Sequence, residues 1–245
     1  MARKYLALLS GLALGAVYIG NPERATLFLF LLSILSALIA FGSFFIYRQQ
    51  LSNVTDATFL IFPILWILAS ACVLFLLATP FWRFAVIVFG VAGLVKILLD
   101  ARPKVITNLL ENLFFLSAFG IYLGIWALDF YFTPGWWLNI ILSAIASFVF
   151  FWAGFSATPT SASSRLIFSL VLSLLFAEIA WTMLFWPLHF LTLALVFSCL
   201  FYLAWSLTRF HLMQALTKEK LVVHSSFVVL TVSFLLIVSK WFPNT

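Results

Sequence analysis

Charge is what this sequence has least of. Only 8% of its 245 residues are charged, where a soluble domain carries roughly 25%. A water-facing surface cannot be built from so few charges, so lipid must be the solvent for most of this one. Cysteine is nearly absent too. Cys72 and Cys199 both lie inside apolar runs, far from any metal-ligand spacing, and read as small apolar side chains. The chain has no HExxH or CxxC, and its three histidines, His189, His211 and His224, fall at different depths along it. No metal site and no cofactor is expected. The excess of positive charge, a formal +6, does not point to nucleic acid. The basic residues stand singly between apolar runs, with none of the stripes that phosphate binding needs.

What is there is apolar and helical in pattern. Hydrophobic residues make up 65% of the chain, and phenylalanine alone occurs 30 times. Phenylalanine suits a lipid-facing helix, being large and free of polar atoms that need partners. Breaking the chain at charges, prolines and polar clusters leaves nine apolar segments: 5–20, 25–47, 57–79, 82–99, 106–132, 136–155, 165–186, 188–208 and 220–241. A helix crossing the hydrocarbon core needs about 20 residues, and most of the segments fit. The first is short, and without it the count is eight. The runs are continuous rather than alternating, which excludes a β-barrel. The expectation is an all-α, polytopic transmembrane bundle forming a single domain over 1–245. No internal repeat is visible. Segment 5–20 follows Arg3 and Lys4 as a signal peptide would, but Tyr18 before Gly20 makes a poor cleavage site, so it reads as a retained helix.

Charge placement orients the bundle. Numbering the loops alternately gives one side Arg3, Lys4, Arg48, Lys96, Arg102, Lys104, Arg165, Arg209, Lys218 and Lys220, and the other Arg24, Arg83 and Lys240, ten against three. Cytoplasmic loops are rich in Lys and Arg, so the N-terminus is expected inside and the C-terminus outside, in a plasma (inner) membrane. Trp82, Trp136, Trp137, Trp186 and Trp241 then fall at outer helix ends, where indole favours the interface. Trp66 and Trp181 read as ordinary core or lipid-facing residues. The longest loops, near 48–57, 156–164 and 209–219, are too short to hold a soluble domain. The serine- and threonine-rich 156–164 reads as a plain flexible loop, and 209–219 as a short interfacial helix.

Ionisable groups in hydrocarbon are costly, so each needs a reason. Glu178 reads as the deepest, near the middle of segment 165–186. It is either a proton or cation site, an anchor for a partner subunit, or a carboxyl satisfied by hydrogen bonds inside the bundle. A second candidate is Lys96 with Asn108, Glu111 and Asn112. The last three share one helix face at i, i+3 and i+4, and Lys96 and Glu111 fall at similar depth on adjacent antiparallel helices. The pair is either a polar clasp on a hairpin or a polar entrance on the cytoplasmic side. Gly11–Gly15 and Gly120–Gly124 are GxxxG pairs that permit close helix packing, within the chain or to another. Pro63 should kink its helix and free a carbonyl.

Known catalytic patterns do not fit. Gly154-Phe155-Ser156-Ala157 resembles the serine motif of rhomboid-type intramembrane proteases but lacks its last glycine. A retinal protein needs a lysine deep in its last helix, and Lys240 is at the end. No paired-aspartate motif of lipid phosphotransferases is present. The C-terminal third does show a likeness. Glu178-Ile-Ala-Trp181, Phe185-Trp186-Pro187, Tyr202, Arg209, His211-Leu212 and Leu216-Thr217 resemble the closing region of an uncharacterised family of polytopic membrane proteins from ultra-small candidate-phyla bacteria. Phe210 separates an arginine and a histidine that the family keeps adjacent. The resemblance implies a bacterial plasma-membrane protein and nothing about substrate.

Three functions remain open. The first is a non-catalytic subunit or scaffold of a membrane complex, whose partners are membrane lipids and other membrane-protein subunits or the chain itself. It suits the small loops and the shortage of intramembrane polar groups. The second is a small transporter or permease using Glu178 and the Lys96–Glu111 region. The third is a lipid-modifying enzyme at the inner interface, for which no catalytic pair is visible.

Overall fold

Long apolar runs in lipid must satisfy their backbone groups internally, and helices do this within one segment. A computed structural model describes residues 58–77, 79–100, 108–132, 135–156 and 158–239. Its regular structure consists of seven helices: α1 (Thr58–Leu76), α2 (Pro80–Asp100), α3 (Asn108–Phe132), α4 (Trp136–Phe155), α5 (Ala162–Met183), α6 (Phe190–Leu212) and α7 (Lys218–Val238). Among the described residues, five stretches are long and apolar enough to cross a membrane: Leu110–Leu128 within α3, and the whole of α4, α5, α6 and α7. Segments 5–20 and 25–47, with Gly11 and Gly15, lie outside the described residues, as do Trp241 and Lys240.

The helix ends are set by local chemistry. Ser161 caps α5, its hydroxyl accepting from the Ser164 N–H at 3.1 Å, and Thr217 caps α7 in the same way from Lys220. The stretch 156–164 is therefore no plain loop. Thr158 donates to the Phe155 carbonyl at 2.6 Å and meets the Thr160 hydroxyl at 2.9 Å, and residues from Ala162 on are helix. No separate interfacial helix forms over 209–219 either. α6 runs on through Arg209, a cation that suits the negative end of a helix dipole, and through His211. It then stops at Gln214, whose φ is 53°. Ala215 N–H bonds back to Phe210 O and Gln214 N–H to His211 O, the paired bonds of a left-handed helix stop. At the start of α4, Gly135 has φ +48°, a conformation that side chains rarely adopt.

The chain divides into two compact units, Met1–Ile121 and Tyr122–Thr245, the boundary falling within α3. In the first, Trp66 of α1 is 2% exposed and donates its indole N–H to the Gly90 carbonyl of α2 at 2.7 Å. A Cβ at Gly93 would collide with this ring, so only glycine lets α2 lie against it. Ile67, Leu74, Leu94, Ile97, Leu110 and Leu113 complete that core. α1 continues as helix through Pro63.

In the second unit the core is aromatic. Phe151, Phe176, Phe197 and Phe201 are at most 1% exposed, and their rings meet at 4.8 Å for Phe151–Phe201 and 5.0 Å for Phe176–Phe197. Phenylalanine thus fills the interior as well as facing outward, where Phe185, Phe227 and Phe234 are exposed. In lipid, inside and outside are equally apolar, so composition alone cannot sort the two. Packing is most extensive between α4 and α5, with α6 against α7 next. Val228 is the one buried residue of α7.

Candidate functional site

Residues four apart on a helix share a face. On α4 this places Asn139, Ser143 and Ser147 in one column, and all three are fully buried. Opposite, α3 supplies Tyr122, whose hydroxyl lies 3.0 Å from the Ser147 hydroxyl. The Tyr122 ring is packed edge-on against Phe197 at 4.7 Å and Phe201 at 5.7 Å. Trp126 lies one turn of α3 on from Tyr122, and Ser143 one turn of α4 back from Ser147. Trp126 is 1% exposed. Among the described residues, neither its indole nitrogen, nor the Ser143 hydroxyl, nor either polar atom of the Asn139 amide has a hydrogen-bond partner. On α5, Ser169 is buried with its hydroxyl also unpartnered, while Ser173 donates to the Leu170 carbonyl at 2.8 Å. This polar column contains no Asp, Glu, Lys, Arg or His.

Glu178 lies elsewhere. α5 begins at Ala162 and ends at Met183, so Glu178 is five residues from its end rather than near its middle. The Ser161 cap starts the helix three residues earlier than apolarity suggests, and α5 stops before the Trp186-Pro187 turn. The side chain is exposed and makes no hydrogen bond or ion pair with any described residue. It does not sit inside the helix packing of its unit. Its neighbours on the face are Val171 at 59% exposure, Leu174 at 65% and Trp181 at 51%, with Phe185 at 73% in the turn that follows the helix. With Glu178 the three helical residues follow a 3-4-3 spacing, the seam along which one helix packs on another.

The other sequence candidates lie in the first unit. Lys96 is exposed on α2, Glu111 is half-buried in the first turn of α3, and Asn112 is exposed beside it. Neither Lys96 nor Glu111 is without a partner. Asn108 is the first residue of α3. Gly120 is buried where a Cβ would come within 2.9 Å of the Ala69 Cβ and 3.1 Å of its carbonyl oxygen, while Gly124, one turn on, is half-buried. His189 caps α6, His211 lies in its last turn, and His224 Nδ1 meets the Tyr202 hydroxyl at 2.9 Å. Among the described residues, no group of three or more His, Cys, Asp or Glu is placed to hold a metal.

A search for ionisable groups passes over the α4 column, because its residues are neutral. Its signal is the four-residue spacing of Asn139, Ser143 and Ser147 in an otherwise apolar helix.

A family model described as a protein of unknown function, DUF5656, matches residues 9–239. The chain belongs to this family. The match runs from before α1 to the end of α7. Both the column and Glu178 fall inside the DUF5656 region. No curated protein and no solved structure matches the chain. An uncharacterised family and a set of long apolar helices fit an integral membrane protein of unknown activity.

Proposed function

We propose that the chain is a non-catalytic subunit or scaffold of a membrane complex, held in a bacterial plasma membrane by about nine helices as one transmembrane domain. One observation carries this reading: Glu178 stands exposed in an apolar seam of α5 without a partner among the described residues. Carboxyls in membrane helices almost always face a bundle interior or a partner group. Lipid tails supply neither donor nor cation, so a helix from another membrane protein, or from a second copy, is the natural source of one. A polar side chain then acts as the link between helices that van der Waals packing brings together. The sparse burial of α7 leaves a second face open to neighbours.

The N-terminus is placed in the cytoplasm and the C-terminus outside. Supporting this, basic residues gather where α5 starts, α6 ends and α7 starts, and rest on aromatic faces there. Arg165 lies 5.9 Å from the Trp152 ring, Arg209 4.8 Å from Trp205 and Lys220 4.7 Å from Phe210. Long basic side chains use such contacts to lay apolar stems along the helix while the charge reaches the interface. Trp136 and Trp137 stand exposed at the opposite end of α4.

The test is native mass spectrometry of the full chain after mild detergent extraction. An assembly with other membrane proteins or with itself is expected. Glu178→Leu should dissolve it, and Glu178→Gln, which keeps hydrogen bonding, should retain it. A wild-type chain that flies as a bare monomer overturns the reading.

A further inference from the structure

The buried column on α4 calls for an explanation that lateral association does not provide. Serines alone would need none, since small residues let helices approach closely, and α4 and α5 make the most extensive contact. Asn139 and Trp126 are different. Neither is small, and both present polar atoms that close packing has no use for. Asn139 is fully buried with its amide oxygen and nitrogen both unpartnered among the described residues, and the Trp126 indole N–H and Ser143 hydroxyl, each one turn from the Tyr122–Ser147 contact, share that condition. Orphaned buried polar groups are rare because each forfeits the hydrogen bonds it had in water. In a membrane interior no bulk water repays that loss. A leucine at 139 would fill the same space without cost, so the amide is best explained by something it binds.

The chemistry of the column defines what that is. It offers donors at Trp126 Nε1 and Asn139 Nδ2, an acceptor at Asn139 Oδ1, and a hydroxyl that serves as either at Ser143. It holds no Asp, Glu, Lys, Arg or His, so an ion would shed its hydration shell and meet no counter-charge. From Asn139 to Ser147 the column spans about 12 Å of helix, and the Tyr122–Ser147 hydrogen bond closes one end. We propose that the buried face of α4 around Asn139, Ser143 and Trp126 is a binding site for small uncharged molecules that both donate and accept hydrogen bonds, from water to a simple amide or alcohol.

Trp126 provides the reporter. The full chain, labelled with ¹⁵N-tryptophan and held in lipid nanodiscs, gives an indole resonance for Trp126 that Trp126→Phe assigns. Two quantities are read: magnetisation transfer from water to that N–H, and its shift on titration with acetamide, with acetate as the charged control of similar size. Transfer together with a saturable acetamide shift supports a solute site, and transfer without the shift supports the same site with water as its ligand. In Ser143→Ala, which adds no volume and keeps the fold, the acetamide response should weaken about tenfold, the ratio expected for one lost hydrogen bond. Asn139→Leu should reduce water transfer, with the other indole resonances reporting that the chain remains folded. An indole that receives no transfer and ignores acetamide overturns the proposal. So does a response that both variants leave intact, or one that acetate matches.

Discussion

α4 and α5 are neighbours of similar length and similar apolar content, yet they carry their polarity in opposite places. α4 turns Asn139, Ser143 and Ser147 inward, all neutral, against Tyr122 and the aromatic core. α5 turns its carboxyl outward, into a seam of exposed Val171, Leu174 and Trp181. The difference follows from what each environment can return to a polar group. Inside, a neutral hydroxyl or amide needs only a nearby donor or acceptor, and Tyr122 supplies one to Ser147. On the exposed side, the Glu178 carboxyl has no such neighbour among the described residues. α4 therefore points to chemistry within the protein, and α5 to contact with something beyond it.

The largest disturbance of this arrangement should come from the core that both helices share. Phe201 is fully buried, and its ring meets Tyr122, Phe150, Phe151 and Phe176. Phe201→Ala leaves a cavity among rings that cannot all shift to fill it and should destabilise the chain by on the order of 3 kcal/mol. Phe185→Ala, on the exposed side of the same unit at 73% exposure, should cost a small fraction of that. Thermal unfolding in one detergent measures both. Equal losses would mean that the exposed and buried aromatic faces are wrongly distinguished.

Glu178 comes next and inverts the pattern. Glu178→Leu should leave the isolated chain as stable as before, since the carboxyl makes no hydrogen bond or ion pair with the described residues. It should weaken association by about tenfold or more, the range of one interhelical polar contact in a membrane. Dilution in lipid with fluorescence detection of complexes gives the constant. A variant that unfolds more easily while associating normally would place the carboxyl's role inside the chain instead.

How much of this was legible beforehand depends on the kind of signal. The helices of the described region are written in lengths of apolar sequence, and α4 begins and ends where the run 136–155 does. The ends of α5, α6 and α7 are shifted by two to four residues because they are decided by Ser161, Gln214 and Thr217 rather than by hydrophobicity. Of the two readings open for Trp66, core or lipid-facing, the structure shows the core one, with the indole nitrogen on Gly90. The side that Glu178 faces was not legible, because α5 is apolar all round and has no amphipathic contrast to orient it. The α4 column was legible in principle, as a polar repeat of four, but only once neutral residues are weighed alongside charged ones.

Tyr122→Phe is the smaller test of the inner half. It deletes the one side-chain partner of the Ser147 hydroxyl while keeping every ring contact to Phe150, Phe197 and Phe201. The freed serine can turn back to a carbonyl on its own helix, so the expected cost is about 1 kcal/mol or less, near the average for hydrogen bonds between membrane helices.

The smallest effect belongs to Leu174→Ala. Leu174 is 65% exposed, and in lipid its removal trades one apolar surface for another, so the isolated chain should change by no more than about 0.5 kcal/mol. Its place in the seam one turn from Glu178 gives it a second consequence. If a partner helix packs there, the lost side chain opens a gap in that contact, and association should fall severalfold while folding is untouched. Leu191→Ala, exposed on α6 at 43% and off the seam, should alter neither. A Leu174→Ala protein that associates as the wild type does would confine the contact to Glu178 alone and remove the seam from the account.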